Sequence, residues 1–235
     1  SRGAVTFATS TDVVGAMIFY RDVPLMPATG KDGVIRPLAK SALPLIQWRL
    51  RDLSKREAPA VMEHLPTCAN CHTFSRDGEL LAMDMDGPEG DKGAYTVTAV
   101  STHMNITRNE TFTWNDFPDK PKGRGTSGLF ARISPDGRHV VTMLNESIYV
   151  ANYPEYQFLQ TFYPTRGIVV VYSRETGEMK ALPGADDPDY VQGNPCWSPD
   201  GEWIVFIRAK AVEPYPEGRP RAKFANDPNE TQIQY

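Results

Sequence analysis

A turn that recurs along the chain constrains its fold more than any other feature. Three segments share one order: an apolar residue, Ser-x-Asp-Gly, then a short apolar stretch. They are Phe74-Ser75-Arg76-Asp77-Gly78 leading into Glu79-Leu80-Leu81-Ala82-Met83, Ile133-Ser134-Pro135-Asp136-Gly137 leading into Arg138-His139-Val140-Val141-Thr142, and Trp197-Ser198-Pro199-Asp200-Gly201 leading into Glu202-Trp203-Ile204-Val205-Phe206. Proline presets φ, aspartate caps its own turn, and glycine accepts φ > 0. Strands recurring around one turn, about 60 residues apart, signal a repeat architecture rather than an isolated turn.

The rest of the chain agrees with an all-β reading. Its 20 prolines and 18 glycines punctuate short runs rich in β-branched residues, such as Ile168-Val169-Val170-Val171-Tyr172 and Ile204-Val205-Phe206-Ile207. Runs of that kind between turn residues read as strands. The nearest approach to an amphipathic helix, Gln47 to Ala58, is stopped by Pro59. Net charge is −4. Without a basic stripe the chain is a poor nucleic-acid binder, so no nucleic-acid partner is expected. No apolar run approaches the ~20 residues of a membrane helix. Three cysteines are too few for a disulfide scaffold.

One motif carries chemistry. Cys68-Ala69-Asn70-Cys71-His72 has the spacing of c-type haem attachment. Two thiols must reach the two vinyl groups of one porphyrin, and the adjacent histidine then lies under the ring and offers its nitrogen to the iron. The reading is therefore one covalent haem c on Cys68 and Cys71, with His72 as the iron's first ligand. Three other readings compete. A thioredoxin-like redox pair would sit at the start of a helix after a strand, whereas here a β-turn repeat follows. A zinc site of Cys68, Cys71 and His72 would need a fourth ligand, and Cys196 is the only other cysteine. The third is chance.

A six-coordinate iron needs a second ligand, usually Met or His. The candidates are Met104, His103 and Met83, with His64, Met85 and His139 behind them. His64 is tethered too closely to Cys68. Met83 shares a repeat column with Thr142 and Phe206 and reads as core. His139, in the column of Leu80 and Trp203, reads as a surface or interblade residue. His103 and Met104 lie in a non-repeat insertion, Ser101 to Gly128, which also holds Trp114 and Phe117 to cover a ring. An open sixth site is the alternative. Calcium at Asp84, Asp86 and Asp91 is disfavoured against a solvated turn, because EF-hand spacing is absent. Asn105, Asn109, Asn145 and Asn229 open glycosylation-type triplets but read as loop asparagines.

The turn pattern resembles the TolB-type β-propeller repeat, in which Trp-Ser-Pro-Asp-Gly joins the innermost strand of a blade to the next. The third unit matches it fully, the second has Ile133 for Trp, and the first has Phe74 and Arg76 for Trp and Pro. As a whole the chain resembles a bacterial family of TolB-like propeller proteins bearing one haem-attachment motif. Further resemblance lies in Ile18-Phe19-Tyr20-Arg21-Asp22-Val23-Pro24-Leu25, Phe162 to Gly167, Leu182 to Pro188 and Asn226 to Gln232. It implies a single propeller domain over 1–235: degenerate blades to about 58, a haem-bearing blade with insertion at about 59–128, a blade at about 129–190, and a truncated one at about 191–235. Propellers close with four or more blades, so these units form part of a ring. A longer chain or a partner is expected to complete it.

The expected function is electron transfer by an exported cytochrome within a larger redox assembly. Its partner would be a redox protein or another cytochrome. A peroxidase-type enzyme and an interaction module with a structural or sensing haem are the alternatives. No distal His/Arg pair is identifiable, which favours carrier over enzyme. Haem c is joined after translocation, so a periplasmic or extracellular location and a cleaved leader upstream of Ser1 are expected.

Overall fold

The computed structural model describes residues 15–24, 28–29, 35–36, 40–65, 69–152 and 160–212, with the single positions 6 and 8. The strands are β1 (Met17–Asp22), β2 (Ala28–Thr29), β3 (Ile35–Arg36), β4 (Gln47–Asp52), β5 (Ala60–Glu63), β6 (Ala69–Phe74), β7 (Leu80–Met85), β8 (Ala94–Ala99), β9 (Thr111–Thr113), β10 (Leu129–Ile133), β11 (His139–Asn152), β12 (Gln160–Ser173), β13 (Met179–Ala181), β14 (Tyr190–Trp197) and β15 (Ile204–Lys210). Among the described residues only short 3₁₀ turns interrupt them.

The strands form successive antiparallel blades: β1-β4-β5, then β6-β7-β8-β9, then β10-β11-β12 with β13 on β12, then β14-β15, which a single parallel pair, Gly167 with Val191, joins to β12; β2 and β3 pair with each other. The inner strand β10 lies beside both β6 and β14. The architecture is all-β, a run of β-propeller blades that does not close into a ring within the described residues. No helix among those residues is long and apolar enough to cross a membrane.

The repeated turn is one hydrogen-bonded unit copied three times. In the second blade Ser75 Oγ donates to Asp77 Oδ1 at 2.5 Å, Glu79 N donates to the same oxygen at 3.0 Å, and Leu80 N donates to Ser75 Oγ at 3.0 Å. Ser134, Asp136, Arg138 and His139 repeat these bonds, as do Ser198, Asp200, Glu202 and Trp203. Glycine holds φ near +75° at each turn: Gly78, Gly137 and Gly201. A side chain with Cβ is strained there.

Each turn sets the phase of the strand after it, and alternate side chains then face neighbouring blades. Leu81 and Met83 face the first blade, in a core with Trp48, Val61, Met62, Ala69 and Met104. Ala82 faces the third blade, in a core with Tyr95, Trp114, Phe117, Ala131, Ile133 and Val140. Val141 faces the fourth, where Val169, Ala185, Ile204 and Phe206 meet it. In the fourth blade the columns of Leu80 and Ala82 are Trp203 and Val205, 69% and 68% exposed, with Ile207 beyond them at 54%. An apolar face that is buried on the earlier blades is open on the last.

The segment Ser101 to Gly128 departs from its expected role as a non-repeat insertion. Thr111–Thr113 pairs with β8 as the outer strand of the second blade. Trp114 and Phe117 are buried between the second and third blades, and Phe112 stacks on Tyr172 with ring centroids 3.8 Å apart. These aromatics seal two blades together instead of covering a ring. Gly128 shows how closely: φ is +68°, and an added Cβ would lie 2.1 Å from Trp114 Cδ1.

Gly128→Ala is expected to cost more than about 2 kcal/mol, from left-handed strain and overpacking together. Its urea midpoint should fall well below that of the parent. The turn carboxylates predict a pH dependence. Hydrogen bonds from Ser and from the backbone hold Asp77, Asp136 and Asp200 below the usual carboxylate value of 3.8. Their contribution is complete above that value and is lost as pH falls through the lower folded values. Unfolding followed between pH 5 and pH 2 should show this loss, and Asp136→Asn should flatten it.

Candidate functional site

The motif sits on an inner strand that carries a bulge. Between β6 and β7, Asn70 pairs with Asp84 and Thr73 with Ala82, so Cys71 and His72 together oppose Met83. Cys71 takes φ +44°. The other inner strands bulge at the same offset from their turns, with Phe130 at φ +62° and Asn194 at φ +50°. The distortion belongs to the blade repeat. A bulge breaks the in-out alternation and re-aims side chains, and bulges are common beside functional sites. Here it leaves Cys71 exposed next to a half-buried His72.

The His72 ring is held by three aromatic rings. Phe19 lies 5.0 Å away at 69°, Trp48 5.5 Å at 87°, and Phe74 5.9 Å at 76°. Phe19 stacks on Trp48 at 5.3 Å, so the first blade contributes a paired aromatic wall. Burial, with Arg21 and Arg132 next, lowers the imidazole pKa below its usual 6.5. The ring is thus biased toward the neutral form, the one that ligates metals.

On the other side of the strand, Cys71 meets Asp84. Although the residue is exposed as a whole, partial burial of its sulfur raises the thiol to about 11, with the charge of Asp84 as the next cause. Asp84 is itself pushed up by burial, and its Oδ1 has no hydrogen-bond partner. Asp84 stands in the repeat column that Met143 and Ile207 fill in the next blades. A carboxyl there is a polar group where the fold uses an apolar one.

Two guanidiniums flank the pair. Arg21 Nη1 donates to Ala69 O at 3.0 Å, and its Cζ lies 5.8 Å from the Trp48 ring centroid. Arg132 stands on β10 next to Ile133, whose N donates to Thr73 Oγ1 at 3.2 Å. Thr73, Arg132 and Cys196 occupy the same column of three adjacent inner strands and line one cleft of about 370 Å³ with Phe74 and Trp197.

Toward the haem expected from the motif, the described residues offer a thiol, a neighbouring imidazole biased to the neutral form, and apolar rings around that imidazole. Cys68, the second thiol of the motif, lies outside the described residues. The other sequence candidates are placed as follows. Met83 and Met104 are buried in the core that includes Trp48, the ring against which His72 packs. His103 and His64 are exposed, and His139 is half-buried across the blade junction from Trp197. Among the described residues no group of three or more His, Cys, Asp and Glu side chains is gathered around a metal position. Asp84, Asp86 and Asp91 diverge: Asp86 pairs with Lys92 at 2.5 Å, and Asp91 accepts from Gly93 N and Asn115 Nδ2.

Sequence reasoning did not assign roles to Phe19, Trp48, Arg21 or Arg132, and weighed Asp84 only as a disfavoured calcium ligand. The one signal within the sequence was Asp84, a charge in an otherwise apolar repeat column.

No family model matches the chain, and no curated protein matches it. Among solved structures it is similar to the tricorn protease, at 12% identity over 75% of this chain and 14% of that one, with a TM-score of 0.41. It is also similar to TolB from Acinetobacter baumannii, at 12% identity over 74% of this chain and 46% of that one, with a TM-score of 0.31. The chain spans less than half the length of either protein.

In the bare polypeptide, Cys71 should alkylate slowly at pH 8, since thiolate is the reactive form. Asp84→Asn removes the neighbouring charge and should raise the rate roughly threefold or more. Peptide-resolved mass spectrometry after timed iodoacetamide quenching reads this out. An unchanged rate would leave burial as the whole cause.

Proposed function

We propose that this chain is an exported c-type cytochrome, in which propeller blades scaffold one covalent haem for electron transfer within a larger redox assembly. The observation that carries this reading is the inner-strand bulge, where an exposed Cys71 thiol adjoins a His72 imidazole enclosed by Phe19, Trp48 and Phe74. Cys68 and Cys71 would hold the porphyrin through thioethers, and His72 would ligate the iron. The group supplies one-electron chemistry when bound.

The chain's own residues do the rest. The aromatic wall fixes the imidazole plane and keeps water from that side of the site. Burial and the flanking guanidiniums favour the unprotonated ring nitrogen. Met104, His103 and Met83 remain the candidates for the second iron ligand; the two methionines are buried in the core and His103 is exposed. The open Trp203, Val205 and Ile207 face supports membership in a larger assembly, because the same columns are covered by a neighbouring blade earlier in the chain. Export follows from the chemistry of attachment.

Protein purified from bacteria with a haem c maturation system should keep its haem through acid-organic extraction and show a pyridine haemochrome of thioether type. Cys68→Ser with Cys71→Ser should abolish covalent attachment while leaving the propeller fold intact by circular dichroism. A wild-type preparation with only the bare polypeptide mass sinks the proposal. Met104→Ala, His103→Ala and Met83→Ala should be compared by their ferric spectra. The ligand's replacement is expected to convert a low-spin iron to a high-spin form that binds cyanide readily.

A further inference from the structure

The fourth blade ends in an apolar face of a kind that the earlier blades cover. Trp203 stands just before β15, and Val205 and Ile207 continue its side of the strand; the three are 69%, 68% and 54% exposed. Large apolar side chains left together in water mark an interaction surface. The covered blades show what lies on these columns. Leu80, in the column of Trp203, is met by the turn of the third blade: a Cβ added to Gly137 would lie 2.5 Å from Leu80 Cδ1. Ala82 and Val141, in the column of Val205, are fully buried against the blade that follows. The covering blade uses the same two positions at each junction, the residue before its Ser-x-Asp-Gly turn and the fourth residue after the turn aspartate. They are Phe74 and Leu81, then Ile133 and Val140, then Trp197 and Ile204. Arg76 N donates to Pro135 O at 2.9 Å, which ties the second and third turns together.

We infer that the Trp203, Val205 and Ile207 face seats the rear of another blade of the same repeat, one with a large apolar residue just before a Ser-x-Asp-Gly turn and a second four residues after the aspartate. The inference rests on the reading of a larger assembly, names the partner surface, and is independent of the haem. Continuity with the junctions already formed carries it. Each forward face among the earlier blades meets a rear face of this pattern, and in that role Ile133 and Val140 are 5% and 0% exposed. A second copy of this chain does not fit. Its second, third and fourth blades have their rears covered, which leaves the rear of its first blade. Phe19 and Leu50 pack toward the second blade, so the opposite side of the β1-β4 pair carries Ile18, Tyr20, Arg49 and Arg51. Arg49 is bound there to Asp22 at 2.9 Å. Pressing Val205 onto that ion pair would strip its water and return no hydrogen bond.

The test is made on the protein as its native host produces it. Val205 is replaced by the photoreactive p-benzoylphenylalanine, and after irradiation the cross-linked peptide is sequenced by mass spectrometry. In a parallel preparation Val205→Cys is alkylated with a maleimide. The cross-link is expected on a peptide that carries an apolar residue followed by Ser-x-Asp-Gly. Alkylation at position 205 is expected to be at least roughly tenfold slower in the native than in the denatured protein, as for a group reached only by opening of an interface. A cross-link to any of residues 1–212 of this chain shows a second copy on the face and overturns the inference. So does a cross-link to residues 213–235, which makes the cover the chain's own. A cross-link to a partner peptide without the turn overturns the blade and leaves the assembly standing. No cross-link, with alkylation as fast as in the denatured protein, overturns both. Val205 is exposed, so neither replacement disturbs the blade that carries it.

Discussion

In each repeat the turn aspartate accepts from its serine hydroxyl and from a backbone N–H two residues on, while the serine oxygen accepts from the first residue of the next strand. Three bonds close a loop that glycine's positive φ lets reverse. This small polar unit sets which residue of the following strand faces which blade. A slip of one residue would exchange every buried side chain for its exposed neighbour. The apolar columns therefore agree between blades: Leu81 and Val140 look back, Ala82 and Val141 look forward. The interblade cores depend on the register, and the register depends on the turn.

The inner-strand bulge belongs to the same unit. It falls at one offset from the turn in all three blades, with a left-handed residue at Cys71, Phe130 and Asn194. None of these is glycine, so the strain is a general cost of the blade and was present whatever residue filled it. In the third blade the residue after it, Ala131, packs quietly into the core between blades. In the second blade the same place holds His72. The repeat thus delivered an imidazole to an interblade junction by substitution alone, and the preceding blade met it with Phe19 and Trp48 in stacked array. Aromatic edges against an imidazole face suit a ring that must keep one orientation.

The turns, the strands behind them and the propeller architecture were all legible in the sequence, because Ser-x-Asp-Gly is local chemistry with a fixed conformational outcome. Cys71 and His72 stand out in the sequence for the same reason, by local spacing to Cys68. The outer strand Thr111–Thr113 was not, since three residues between polar loops carry too little alternation to declare a strand. Trp114 and Phe117 were read as a cover for a ring, but their burial is decided by Tyr172 and Gly128, far along the chain. Arg21 and Arg132 gave no local sign either. Arginines are common on strand surfaces, and these two come near the motif only when three blades are assembled around it.

The division of labour across the strand follows from that assembly. On the face toward the first blade, Phe19, Trp48 and Phe74 make an apolar enclosure that disfavours charge on His72. On the face toward the third blade, Asp84 and the cleft beside Arg132 make a polar one. A flat strand would have alternated these environments residue by residue. The bulge places them at consecutive residues, so Cys71 samples the polar side and His72 the apolar side without a change of element. The bulge achieves this with one added residue in an otherwise regular ladder.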